Sequence, residues 1–156
     1  MKFNSSGGYF TSSIQRKDGT IEPISYLKRN LLTLDGRDLF HAQCYTNSSA
    51  GTRGSGYIAL TTDTTTPADT MTALTGELAA SGFTRADAGT KTHTNDTNST
   101  TIEHTFTASG TVNLIARSGL FNASSGPTLT HVAAFGTTAS LISGDTLKVT
   151  WTLNLG

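Results

Sequence analysis

The fold of this chain is decided by its closing stretch, "GDTLKVTWTLNLG" (Gly144–Gly156). Apolar residues take every second position there, and threonine, lysine and asparagine stand between them. The apolar positions are Leu147, Val149, Trp151, Leu153 and Leu155. A period of two is the pattern of a half-buried antiparallel strand. The stretch therefore predicts a strand with Trp151 in the core and its threonines on the outer face.

The composition predicts an all-β protein of one domain. The chain has 156 residues, enough for a single core. Only 14% of them are charged, against about 25% in a typical soluble protein, and 35% are hydrophobic. Threonine, serine and 16 glycines take the remaining places. β-Branched threonine favours pleated surfaces, and glycine favours turns.

Charge, cysteine content and hydropathy limit the classes of partner and the cellular compartment that we expect. The formal net charge is zero, so no basic field is available to attract nucleic acid. The single cysteine, Cys44, cannot form an internal disulfide, which suits synthesis in a reducing cytoplasm. No apolar run is long enough for a membrane span, and the first residues lack the apolar core of a signal peptide. We expect neither nucleic acid nor membrane as a partner.

Further strand patterns recur at intervals of 10–15 residues, with Gly, Ser, Asn and Asp between them. The candidates are "GYIALT" (56–61), "FTRADAGTKTHT" (83–94), "TTIEHTFTAS" (100–109), "TVNLIARSGLFNA" (111–123) and "PTLTHVAAF" (127–135). The threonine-rich tract around residues 90–107 reads as a hairpin with a polar tip. Short strands at this spacing predict an antiparallel β-sandwich with a jelly-roll-like body.

One short helix is expected within this body. After Pro67, the apolar residues Met71, Leu74 and Leu78 follow at spacings of three and four, and Asp69 or Thr70 can cap a helical turn. The earlier segment 25–47 fits neither the helical nor the strand period cleanly, so both readings stay open there.

The first residues differ from the rest in their pattern of hydrophobic residues. Residues 1–25 carry isolated hydrophobic residues without a sustained period, and Asp18-Gly19 is a strong turn signal. We therefore predict two parts: an extended N-terminal arm, 1–29, and the β-sandwich domain, 30–156. An arm without its own core must bury its aromatic residues against something else. The predicted partner contacts are Phe3, Tyr9, Phe10, Ile14, Arg16 and Lys17.

No pattern in the sequence predicts catalysis or a cofactor. A zinc site needs three or four ligands at close spacing, and of the histidines only His93 and His104 lie near each other. The chain has no G-x-S-x-G motif, and "GTRGSG" (51–56) lacks the ending of a phosphate-binding loop. We expect no enzyme, no catalytic residue, no cofactor and no metal.

Several stretches resemble a recurrent pattern in small structural proteins of tailed bacteriophages. They are "NLLTLDGRDLFHAQCYTN" (Asn30–Asn47), "YIALTTDTTTPADTMTALTGELAASGFTRA" (Tyr57–Ala86), "GLFNASSGPTLTHVAAF" (Gly119–Phe135) and "SGDTLKVTWTLNLG" (Ser143–Gly156). The resemblance covers about residues 30–156 as a loose run of motifs. It implies a virion protein with a β-sandwich body.

The resemblance and the neutral surface together favour a capsid decoration (cement) protein on the outside of the head. We expect its partners to be the major capsid protein or another virion structural protein, and copies of itself in a trimer or dimer. Two alternatives stay open: a neck, tail or fibre-attachment protein, and a glycan-binding host-recognition module. The expected location is the capsid surface, after synthesis in the cytoplasm of the bacterial host.

Overall fold

The computed structural model describes residues 8–33, 36, 55–93, 99–126 and 128–154. These residues form ten β-strands. The strands are β1 (Tyr9–Gln15), β2 (Ile21–Arg29), β3 (Leu31–Leu32), β4 (Tyr57–Thr61), β5 (Ala86–Asp87), β6 (Thr90–His93), β7 (Ser99–Thr107), β8 (Val112–Phe121), β9 (Leu129–Leu141) and β10 (Thr146–Asn154).

The strands form two antiparallel sheets of five, which confirms the predicted all-β sandwich. Sheet A has the order β2-β1-β10-β7-β6, and sheet B has the order β3-β9-β8-β4-β5. The main core lies between them and includes Phe10, Ile58, Phe106, Leu120 and Trp151. Since side chains of a strand alternate between the two faces, each sheet also has an outer face.

The closing strand behaves as its alternation predicts. β10 lies in the middle of sheet A and pairs with β7 over nine consecutive residues, without a bulge. Trp151 is fully buried, and its ring centroid lies 4.9 Å from that of Phe10. Its Nε1–H donates a hydrogen bond to Ser118 Oγ at 3.3 Å, so the polar end of the indole is also satisfied. Leu155 lies outside the described residues.

The other strand predictions are confirmed with changed bounds, except that the single strand predicted over 83–94 is wrong: β5 lies in sheet B and β6 in sheet A. β9 runs on past Phe135 to Leu141, beyond the predicted segment. β6 and β7 pair antiparallel as the predicted hairpin, whose tip, 94–98, lies outside the described residues. The open reading of residues 25–33 is settled as strand by β2 and β3. His41 and Cys44 lie outside the described residues.

The prediction of an N-terminal arm separate from the body is wrong for residues 8–29. β1 lies between β2 and β10 in sheet A, and Phe10 and Ile14 are part of the main core. The turn between β1 and β2 contains Asp18-Gly19, as expected, with Gly19 at φ 88°. Phe10, Ser12 and Ile14 all point inward, but the sequence shows no apolar alternation there because the middle residue is a serine. Residues 1–7 lie outside the described residues.

The predicted short helix is also wrong, since residues 62–85 contain none. This segment crosses the outer face of sheet B instead. Leu74 and Met71 pack on that face, whereas Leu78 packs against the main core, so the three residues share no helical face. The Leu78 N–H donates to Leu60 O at 2.8 Å, and Thr61 Oγ1 lies 2.6 Å from Thr75 O. Pairing with sheet B replaces the hydrogen bonds of a helix.

Candidate functional site

The six predicted contact residues separate into buried and accessible groups. Phe10 and Ile14 are buried in the core, so the prediction that they contact a partner is wrong. Their outward neighbour Tyr9 is 44% exposed, and Lys17 is exposed in the β1–β2 turn. Phe3 lies outside the described residues. The fold therefore leaves Tyr9, Arg16 and Lys17 at the surface, at two separate places.

Arg16 joins three segments at the end of the sandwich where β1 turns into β2. Its guanidinium donates to Glu22 Oε2 at 2.7 Å, to Asp145 Oδ2 at 2.8 Å and to Ser140 O at 3.3 Å. The hydrogen bonds with Glu22 and Asp145 raise the pKa of Arg16. The Ile142 N–H and Arg16 together lower the pKa of Asp145. Both groups stay charged, so the turn between β9 and β10 is held against β1.

Three exposed aliphatic residues lie at the same end of the sandwich as this ion-pair cluster: Ile21 (67% exposed), Leu114 (58%) and Ile142 (58%). Ile21 precedes Glu22, and the Ile142 N–H bonds to Asp145. The Leu114 N–H bonds to Ser140 Oγ at 3.1 Å. Each residue is thus joined to a partner of Arg16, Ile21 by the peptide bond to Glu22 and the other two by a hydrogen bond from the backbone N–H. We call these three residues the turn-end patch.

Leu114 reaches the patch through an irregularity in β8. Val112 pairs with Leu141 and Ile115 with Ala139, which leaves Asn113 and Leu114 opposite Ser140. Leu114 has φ 59°, the left-handed region that a leucine rarely adopts. Such a conformation costs about 1–3 kcal/mol and persists only where the surroundings impose it. The surrounding structure thus holds Leu114 exposed in an unfavourable backbone conformation.

The outer face of sheet A is the second exposed region, and we call it the open face. Its side chains form rows across the strands, because the β1–β10 and β10–β7 registers are continuous. One row contains Tyr9, Thr152, Thr101 and Thr92, and the next contains Thr11, Thr150, Glu103 and Thr90. The third contains Ser13, Lys148 and Thr105, and the fourth contains Gln15, Thr146 and Thr107.

A groove of about 220 Å³ lies in the open face, lined by Thr11, Ser12, Ser13, Lys148 and Thr150. Lys148 Nζ lies 3.0 Å from Glu103 Oε1, and Thr150 Oγ1 donates to the same oxygen at 2.8 Å. Burial raises the pKa of Glu103, but the bonds from Lys148 and Thr150 and the lysine charge outweigh it, so its pKa is lowered. The carboxylate is therefore ionised and neutralises Lys148.

Sequence reasoning missed Tyr26, which is 74% exposed on β2. Phe10 pairs with Lys28 and Ser12 with Ser25, so Tyr26 and Leu27 lie together opposite Thr11. Leu27 has φ 48°, a second leucine in the left-handed region. This bulge adds an exposed tyrosine opposite Thr11, which lines the groove. The only signal in the sequence is the apolar pair itself, which has no place in a regular alternation.

Groups capable of acid–base or metal chemistry are dispersed. No three His, Cys, Asp or Glu side chains are placed to hold a metal ion within the part of the chain that the structure describes. His131 lies in β9, its ring 6.2 Å from that of Trp151, and burial lowers its pKa to about 4. Burial also lowers the pKa of His104. Both imidazoles are neutral at pH 7 and stand apart from the two exposed regions.

The comparisons with known proteins add no relative. No protein-family model matches the chain, and no match is found among curated proteins or solved structures. The resemblance to phage structural proteins therefore stays a prediction. Among the described residues, no helix is long and apolar enough to cross a membrane.

Proposed function

We propose that this protein is a virion structural protein that binds the outside of a phage head as a decoration protein. The turn-end patch is the observation that carries the proposal. It presents three exposed aliphatic side chains at the end of the sandwich where two ion pairs of Arg16 link the neighbouring strands. Interfaces gain most of their energy from a few residues, and a rigid base lowers the entropy lost on binding.

The composition of the remaining surface supports repeated packing. The chain has no net charge, so neighbouring copies on a lattice would not repel one another. Copies of the chain, in a dimer or trimer, and the major capsid protein are the proposed partners. The resemblance of residues 30–156 to phage structural proteins supports the same role, as does the β-sandwich that it implied. The proposed location is the capsid surface.

A neck, tail or fibre-attachment protein is the alternative within the same class, and copy number separates the two. Particles from the source of the chain are purified, and its amount relative to the major capsid protein is measured by quantitative mass spectrometry. A decoration protein is present at a fixed ratio near that of the capsid subunit. A few copies per particle favour the neck or tail, and its absence from particles contradicts both assignments.

A second experiment tests the patch itself. The double variant Ile21→Ser, Ile142→Ser is added to particles that lack the protein, and occupancy is compared with that of the wild type. We expect at least about tenfold weaker binding, since interface anchors are worth more than 1 kcal/mol each. Thr105→Ser on the open face is the control and should bind as the wild type does. Full occupancy by the double variant would show that the patch is not the contact.

A further inference from the structure

The groove of the open face is distinct from the turn-end patch. It lies between the row of Thr11 and Thr150 and the row of Ser13 and Lys148, whereas Ile21, the patch residue in this sheet, pairs with Gln15 in the next row. No residue of the turn-end patch lines the groove.

The lining offers hydrogen bonds without net charge. The hydroxyl groups of Thr11 and Ser13 bond to no other residue in the described part of the chain. Lys148 uses one donor on Glu103, and its ammonium carries three. An anion would require positive charge that Glu103 already neutralises. An apolar peptide would leave the hydroxyl groups unpaired at a cost. A neutral ligand rich in hydroxyl groups needs no positive charge from the groove and can pair with the hydroxyl groups of Thr11 and Ser13.

Two exposed tyrosines are neighbours of Thr11, one of the residues that line the groove. Tyr9 precedes Thr11 by two residues and so shares its face, and Tyr26 lies opposite Thr11 in the β1–β2 register. A pyranose ring combines an apolar face of C–H groups with hydroxyl groups around its rim. An exposed tyrosine presents an apolar ring with a polar end, which matches that combination. The hydroxyl groups of Thr11 and Ser13 then lie beside the rim of a stacked sugar.

The backbone supports this arrangement independently. A regular β2 would place one residue opposite Thr11, whereas the bulge places two there, at the cost of a left-handed Leu27. Such strain is characteristic of binding sites, where the surrounding structure imposes it. The bulge therefore places Tyr26 opposite Thr11, which lines the groove.

We propose that this groove binds a neutral saccharide, with Tyr26 as the stacking surface and Thr11, Ser13 and Lys148 as its hydrogen-bonding groups. The proposal does not depend on the assembly role. A decoration protein and a protein of another class could both carry the site.

The test is binding of the full chain to an array of immobilised neutral oligosaccharides of glucose, galactose, mannose and N-acetylglucosamine, with sulfated and sialylated counterparts. We expect binding to at least one neutral oligosaccharide. Tyr26→Ala should weaken it about five- to tenfold, the size of one lost aromatic contact, and Tyr26→Phe should retain it. Thr11→Val should weaken binding by removing a hydroxyl group at constant shape.

Two controls keep the result unambiguous. Ile142→Ser, in the turn-end patch, should bind saccharide as the wild type does, and thermal unfolding should show all variants folded, because Tyr26 is mostly exposed. Absence of binding to every neutral oligosaccharide, binding to charged counterparts alone, or an unchanged affinity in Tyr26→Ala would each overturn the proposal. None of these outcomes bears on the particle experiments.

Discussion

The polar residues on the two outer faces of the sandwich have different surroundings: those of sheet B bind a covering segment, and those of sheet A stay accessible. On sheet B, residues 62–85 cover the face, and outward polar side chains bind that cover. Arg117, 1% exposed, donates from Nε to Asp63 O at 2.7 Å and from a second nitrogen to the Asp63 carboxylate. Thr61 Oγ1 bonds to the backbone oxygens of Thr75 and Gly76. On sheet A no described segment covers the face, and the corresponding hydroxyl groups stay accessible.

Apolar residues at outward positions explain which face is covered. Ala59, Phe121, Leu129 and Val132 lie on the outer face of sheet B and pack with Leu74. Gly119 keeps room among them, since a Cβ there would lie 2.7 Å from Leu129 Cδ1. Sheet A carries threonine at the same kind of position. The outward apolar residues of sheet B are covered by residues 62–85, whereas the outward hydroxyl groups of sheet A are not covered by any described segment.

Trp151→Ala should have the largest effect, because Trp151 is fully buried in the core. Its neighbour Thr150 on β10 points to the open face and serves as the comparison. We expect Trp151→Ala to lower the free energy of unfolding by about 3–5 kcal/mol and Thr150→Ala by well under 1 kcal/mol. Urea denaturation of both variants measures this. Equal losses would mean that the two faces of β10 are energetically alike.

Arg117→Ala compares the two outer faces directly. Removing this buried side chain leaves a void and releases the cover at Asp63, so we expect a loss of about 3 kcal/mol. Lys148→Ala on the open face should cost less than about 1 kcal/mol, as for other exposed ion pairs. Limited proteolysis within residues 62–85 should accelerate only in Arg117→Ala. Similar losses for both variants would contradict the distinction between the faces.

As the pH falls, the free energy of unfolding should decrease first through the histidines of the interior and only at lower pH through Glu103 on the open face. The pKa of His131 is about 4 in the folded chain and 6.5 when unfolded, so only the unfolded state gains its proton as pH falls through 6.5. Stability is then lost progressively down to pH 4, by about 2 kcal/mol between pH 7 and pH 5. His104, with its lowered pKa, adds to the loss in the same direction.

His131→Gln is the control for this pH dependence, measured by urea denaturation at pH 7 and pH 5. It should remove most of the loss, and Glu103→Gln on the open face should leave it unchanged. The lowered pKa of Glu103 places its contribution below pH 4.5, as that carboxylate becomes protonated. A wild-type stability that is level from pH 7 to pH 5 would contradict the lowered pKa of His131.

The smallest effect is expected at Ser12, which faces inward beneath the groove. Its Oγ is buried without a hydrogen-bond partner. Ser12→Ala removes an unpaired polar atom and should raise the free energy of unfolding by about 1 kcal/mol. Ser13→Ala, on the open face, should change it by less than about 0.5 kcal/mol. A loss of stability in Ser12→Ala would indicate a partner for the hydroxyl group, such as a bound water.

The sequence by itself determined most strands, the turn at Asp18-Gly19 and the inward side of Trp151. Alternation with a period of two is a local property, and each of these features depends on residues close together in the chain. The same reasoning failed for β1, where Ser12 interrupts the apolar side, and for residues 71–78, where a helical spacing belongs to a segment that packs on a sheet.

Only the tertiary structure decided which outer face is covered and where the exposed residues gather. Arg16 meets Asp145 from 129 residues away, and Arg117 meets Asp63 from 54 residues away. The two bulges that place Leu27 and Leu114 at the surface arise from mismatched registers between strands. Alternation separates inward from outward residues along one strand. It carries no information on which distant segment reaches an outward surface, because that depends on the packing of the whole chain.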